Sequence, residues 1–145
     1  IIICGIGSSA SIADNFAVHL MRIGMPAISI TDSELLQIAA SFSGPGTVFI
    51  AVSKTGSSLP IVNAFRIARE RGAGTICLTC YQKTPLEPYC DVCLIHYYPT
   101  EALVSTRVVQ NTLIDALIVN ATIHSPQRVV EALSANRKAV KPLRL

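Results

Sequence analysis

Tryptophan is absent from this sequence, and charge is scarce: Asp, Glu, Lys and Arg make up 14% of the 145 residues, against about 25% in an average domain. Twelve basic residues face nine acidic ones, for a formal net charge of +3. That excess is too small to suggest a surface that grips nucleic acid. No apolar run reaches the ~18 residues of a membrane span, and nothing at the start has the layout of a signal peptide. The five cysteines, Cys4, Cys77, Cys80, Cys90 and Cys93, are odd in number and lack a secretory context. This argues against a disulfide framework and for a reducing, cytoplasmic location. Internal repeats, linkers and low-complexity segments are also missing, so residues 1–145 read as one domain. What is plentiful is apolar material, 50% of the chain. That exceeds what one core of this size needs, and the surplus predicts a homodimer or higher homo-oligomer. The chain opens directly on Ile1-Ile2-Ile3, which reads as a strand with no lead-in, so an upstream part is expected to be missing.

Short apolar runs alternate with helical periodicity along the chain. Strands are predicted at Ile1–Cys4, Ala27–Thr31, Thr47–Val52, Thr75–Leu78 and Asp91–His96. A helix over Ser11–Ile23 follows from Ile12, Phe16 and Leu20 at four-residue spacing, with Gly24 as its stop. A second helix, capped by Asp32 or Ser33, runs through Phe42, and a third starts after Ser57 or Ser58 with Pro60 in its first turn. Pro85–Tyr89 suggests one helical turn, Glu101–Ile123 a long helix apolar nearly all round, and Ser125-Pro126 the start of a last helix fading near Arg137. Near-continuous apolar strands alternating with helices predict an α/β three-layer sandwich. Its five-stranded parallel sheet should have the flavodoxin-like order 2-1-3-4-5.

In such a sheet ligands bind beyond the C-terminal strand ends where the order reverses, here between strands 1 and 3. The loops leaving those strands are Gly5-Ile6-Gly7-Ser8-Ser9-Ala10 and Ser53-Lys54-Thr55-Gly56-Ser57-Ser58. Each is rich in Gly and hydroxyl residues and leads into a helix N-terminus, where free N–H groups and the helix dipole favour an anion. Taken singly, such Ser and Thr residues are commonly helix caps. Two of these loops at one switch point favour a small-anion site, above all for phosphate. The first loop also fits the G-x-G-x-x-G/A dinucleotide pattern, with Asp32 near where a ribose-binding acid would stand. That remote alternative leaves the second loop without a role.

These residues resemble the SIS (sugar isomerase) domain, and most closely the effector-binding half of RpiR-type bacterial transcription regulators. Gly5–Ala10 resembles the family's first loop, and Leu20-Met21-Arg22-Ile23-Gly24 the regulators' first-helix ending. Ser53–Ser58 is similar to the S-x-S-G-x-T loop, and Asp91-Val92 followed by Glu101 to the last strand and the acidic start of the long helix. The resemblance implies that Ser9, Ser53, Thr55 and Ser58 hold the phosphate, with Gly7, Ser8 and Gly56 in the same two loops, and that Glu101 reaches the sugar. Thr55 stands where Ser is usual and Ser58 where Thr is usual; both keep the hydroxyl. Lys54 either adds charge to the site or points to solvent. The resemblance further implies a helix-turn-helix domain that binds DNA, and this chain contains no such segment.

Family members that isomerise sugar phosphates need a carboxylate base and a second group to open the ring or shuttle protons. Glu101 supplies a candidate base. Of the nominees for the second group, His19 sits inside a helix and His124 in a helix break, while His96 ends strand 5 on the ligand side. None is compellingly placed beside Glu101, so the chain reads as a sugar-phosphate-binding sensor without a cofactor, with a phosphosugar isomerase as the alternative. Cys77-x-x-Cys80 and Cys90-x-x-Cys93 have the spacing of a zinc site but no knuckle glycine. Cys77 and Cys93 lie within strands among Ile, Leu and Val and read as core fillers, so no metal site is expected; Cys4, next to Gly5, reads as packing, with contact to the ligand as its alternative.

Overall fold

The computed structural model describes residues 1–96 and 106–143. Five strands, β1 (Ile2–Cys4), β2 (Ile28–Ile30), β3 (Val48–Val52), β4 (Gly74–Thr79) and β5 (Val92–Ile95), form one sheet in the order β2-β1-β3-β4-β5. Every pairing is parallel. The five α-helices are α1 (Ala10–Arg22), α2 (Ser33–Ser41), α3 (Leu59–Glu70), α4 (Thr106–His124) and α5 (Pro126–Val140). The expected topology is thus the observed one.

Strand alternation sorts the core into two layers. Ile3, Ile50, Val52 and Leu78 face one side, where they pack with Ile12, Phe16 and Leu20 of α1 and Ile114 of α4. Cys4, Phe49, Ala51 and Cys77 face the other, under Leu36 of α2 and Ile61, Ala64 and Phe65 of α3. Phe49 and Phe65, both fully buried, meet edge to face with ring centroids 6.1 Å apart, a favoured aromatic geometry. α1 ends in a Schellman motif: Met25 N–H donates to the Leu20 carbonyl and Gly24 N–H to that of Met21. Gly24 takes the positive φ (79°) this motif requires.

Several boundaries differ from expectation. A 3₁₀ turn, Gly7–Ser9, precedes α1 and carries the helix back toward the first loop. β4 is longer than predicted because Gly74 and Thr79 both pair with neighbours. α5 continues through Arg137 to Val140. Asp32, not Ser33, caps α2, accepting from the N–H groups of Glu34 and Leu35 at 3.0 and 2.8 Å. α4 is less enclosed than its composition suggested: Gln110 and Ile114 are buried, while Val108, Val119 and Ile123 are exposed. No helix among the described residues is long and apolar enough to cross a membrane.

Asp91 fastens the edge strand. One carboxylate oxygen accepts from the Thr75 N–H at 2.8 Å and the Thr75 hydroxyl at 3.0 Å. Arg69 lies 3.4 Å from the other oxygen. These hydrogen bonds, the backbone one first and then the hydroxyl, hold the carboxyl below the usual aspartate range, and Arg69 adds to them. A lowered folded-state value means stability that is fully present above the unfolded-state value and lost as pH falls through the folded one. Asp91→Asn should therefore be less stable than the parent at neutral pH in urea melts, and the gap should narrow as pH drops below about 4. A gap independent of pH would contradict this account.

Candidate functional site

β1 and β3 are neighbours in register, with Cys4 opposite Ala51. Their connections then part: β1 leads through α1 to β2, and β3 through α3 to β4. α1 and α3 lie on opposite faces of the sheet. The loops Gly5–Ala10 and Ser53–Ser58 therefore leave adjacent strand ends and diverge, opening a crevice between two helix N-termini. This is where the sequence places the anion site.

In the first loop, Ser9 is 8% exposed and Ser8 and Gly7 are exposed. Gly5 is forced by crowding: a Cβ there would lie 2.5 Å from the Ser9 carbonyl oxygen. The end of β1 thus passes directly under Ser9. Although Ser9 occupies the N-cap of α1, its side chain makes no capping hydrogen bond. In the second loop Ser53 is 6% exposed, Thr55 is exposed and Ser58 half-buried. Ser58 is the N-cap of α3, again with no side-chain capping bond. Of the two residues expected at this helix start, Ser58 takes the cap position, without its hydroxyl bonding the helix. The Ser57 hydroxyl instead shares a 2.7 Å hydrogen bond with that of Thr55. The hydroxyls of Ser9 and Ser58 thus remain uncommitted to the helices behind them. Two helix N-termini with such hydroxyls can together take a tetrahedral anion.

The second loop is built tightly from behind. The Lys54 carbonyl accepts from the Cys80 N–H at 3.0 Å and the Thr79 hydroxyl at 3.2 Å. The Gly56 carbonyl accepts from the Leu86 N–H at 3.0 Å. Gly56 has φ of 59°, and Thr84 stands against it: a Cβ on Gly56 would lie 2.5 Å from the Thr84 hydroxyl oxygen. Sequence reading missed Thr84, because its role is a contact across 28 positions that no local pattern signals.

The remaining nominees fall as follows. His96, just past β5, is nearly buried, with its ring nitrogens 3.6 and 3.7 Å from the Cys80 Sγ. This pair sits at the same strand ends as the loops. Burial raises the Cys80 thiol above its ordinary value, partly offset by Lys54. His19, in the last turn of α1, lies 4.0 Å from Asp115 of α4, and His124 bonds the Asn120 carbonyl at 2.9 Å. Cys4 is fully buried, its thiol pushed up to about 12 by desolvation, and is a packing residue. Asp32, the acid of the dinucleotide reading, caps α2 through Oδ1, which accepts from both Glu34 and Leu35 N–H. Glu101 lies outside the described residues. Cys77, Cys90 and Cys93 come together, but Cys80 does not join them.

A groove of about 690 Å³ lies elsewhere, between α1 and α5, with Met21, Arg22, Leu133 and Arg137 among its walls. It lies at the C-terminus of α1 and has arginines in its walls, but it lacks the two helix N-termini and the uncommitted serine hydroxyls that the loop crevice offers an anion.

The SIS domain family matches residues 1–120 of the chain. The HTH-type transcriptional regulator YbbH of Bacillus subtilis is 27% identical over 146 residues, covering 97% of this chain and 52% of its own length. The HTH-type transcriptional regulator RpiR of Escherichia coli is 28% identical over 120 residues, covering 80% of this chain and 40% of the regulator. Among solved structures, the Vibrio vulnificus NanR protein, complexed with ManNAc-6P, superposes with a TM-score of 0.89 at 28% identity, over 99% of this chain and 56% of NanR. The chain spans about half the length of the curated relatives it matches. Matched over most of its length and folded as the resemblance implied, the chain belongs to the SIS domain family, with HTH-type regulators of the RpiR kind as its relatives.

Proposed function

We propose that this chain is the sugar-phosphate-sensing domain of a transcriptional regulator. Its crevice takes the phosphate through Ser9, Ser53, Thr55 and Ser58, with Gly7, Ser8 and Gly56 shaping the loops. Ligand occupancy then biases DNA binding by a helix-turn-helix domain outside this sequence. The observation that carries the reading is the pair of N-cap serines, Ser9 and Ser58, whose side chains cap nothing, at the starts of two helices on either side of the sheet's switch point. The sugar phosphate on NanR, a 28%-identical neighbour, supports the ligand class. Glu101 is proposed for the sugar end. The exposed Val108, Val119 and Ile123 of α4 suit burial against a second copy.

The SIS fold also occurs among phosphosugar isomerases, and the nearly buried His96 beside Cys80 keeps that second reading specific. One experiment addresses both. A thermal-shift panel of aldose, ketose, amino, N-acetyl and acid sugar phosphates should contain a ligand that, at 100 times its dissociation constant, stabilises the chain by about 2.7 kcal/mol. The unphosphorylated sugars should not. No response across the panel would refute the proposal. Isomerisation of the responsive sugar that Glu101→Gln abolishes would replace the sensor with an enzyme.

A further inference from the structure

Away from the crevice, on the α3 side of the sheet, three cysteines converge near its β5 edge. Cys77 of β4 and Cys93 of β5 are in-register partners, and both side chains point to that face. Their Sγ atoms are 3.3 Å apart. Cys90 closes the 3₁₀ turn Glu87–Tyr89 just before β5, and its Sγ bonds the Leu86 carbonyl at 3.4 Å. All three Sγ atoms lie within 4.8 Å of one another. Cys77 is fully buried; Cys90 and Cys93 are half-buried and lie toward the open edge.

We propose that Cys77, Cys90 and Cys93 form a three-thiolate site for a soft d10 cation, copper(I) or zinc. The spacing fits. Metal–sulfur bonds of about 2.3 Å put three thiolates around one ion roughly 4 Å apart, so shifts of less than about 1 Å complete the set from the observed positions. Thiolates select these ions over harder ones. Copper(I) is satisfied by the three sulfurs, whereas zinc takes a fourth donor, water, from the open side. On binding, each S–H bond breaks and a metal–sulfur bond forms, up to three protons pass to solvent, and no electron is transferred. A disulfide between Cys77 and Cys93 is the weaker use of the same atoms. The Cys77 thiol is raised by its hydrogen bond to Cys90 and by burial, and burial pushes Cys93 up to about 11, so both stay protonated and resist oxidation at neutral pH. A bound cation overcomes that by replacing the protons. The C-x-x-C spacing is incidental, since Cys80 sits beside His96.

The test is anaerobic competition of the reduced chain against a chromogenic chelator, with copper(I) and zinc in separate arms. One equivalent per chain is expected, with a thiolate-to-metal absorption band in the copper arm. Even supporting groups around a metal are worth about 10–100-fold in affinity, so losing a ligand in Cys90→Ser or Cys93→Ser should weaken binding at least ~100-fold. Cys80→Ser should bind as the parent does. Circular dichroism on each variant separates lost ligation from lost folding, and half-buried Cys90 is the safest substitution. Tight binding in either arm with that pattern supports the site and identifies its ion. Binding no tighter than that of a variant lacking all three thiols, or equal loss on Cys80→Ser, would overturn it.

Discussion

Alanine at both Ser9 and Ser53 should abolish the stabilisation that the responsive sugar phosphate confers, while leaving the ligand-free chain folded. Both residues are nearly buried at the crevice, 8% and 6% exposed. A hydrogen bond to a charged partner contributes about 1.5–3 kcal/mol, so two lost together cost about 3–6 kcal/mol, or at least a hundredfold in affinity. That exceeds the whole shift of about 2.7 kcal/mol expected at 100 times the parent's dissociation constant. Ser9 does not cap α1 through its side chain, so its truncation sacrifices no cap and should alter the unliganded melt little. Differential scanning fluorimetry with and without ligand, followed by calorimetric titration, reads both quantities. A double variant that keeps the parent's ligand shift would remove these serines from the site.

Gly56→Ala should destabilise the chain by about 2–5 kcal/mol, combining backbone strain with overpacking. The φ of 59° puts a side chain in the left-handed region, which costs roughly 1–2 kcal/mol. The new methyl would also stand 2.5 Å from the Thr84 Oγ1 and 2.6 Å from its Cβ, and such overpacking typically costs about 1–3 kcal/mol. The two parts can be separated. Thr84 Oγ1 is buried without a hydrogen-bond partner, so Thr84→Gly removes every side-chain atom that the new methyl would meet without breaking a bond. In the Gly56→Ala background, relative to its effect in the parent, it should restore about 1–3 kcal/mol and leave the backbone strain in place. Urea melts of the four chains in this cycle measure the coupling. Additive effects would mean that Thr84 does not confine the loop. Because the Leu86 N–H is also bonded to the Gly56 carbonyl, a displaced loop should weaken ligand binding as well as stability.

The elements that sequence reading placed well are those whose signals are local. α1 carries Ile12, Phe16 and Leu20 on one stripe and ends at Gly24, and the structure buries that stripe. β3 is an unbroken apolar run, as expected of a strand covered on both faces. The alternation of such elements, with the handedness of parallel crossovers, left few topologies, and the observed order is among them. The misplaced features depend on distant partners. Whether a serine at a helix start caps it depends on where its hydroxyl turns; Asp32 caps α2, while Ser58 leaves α3 uncapped by its side chain. The cysteines mislead for a similar reason. Their spacing pairs Cys77 with Cys80 and Cys90 with Cys93, yet strand pleating turns Cys77 and Cys93 to one face and the 3₁₀ turn brings Cys90 to them.

The sequence by itself determined the layered α/β architecture and the two hydroxyl-rich loops, because hydrophobic periodicity and helix-start chemistry are written in neighbouring residues. Only the tertiary structure decided which hydroxyls stay free of capping, that Thr84 walls in Gly56, and that three of the five cysteines share one point near the sheet edge. Each of these depends on strand register and on side-chain direction between segments far apart in the chain, which local pattern does not encode.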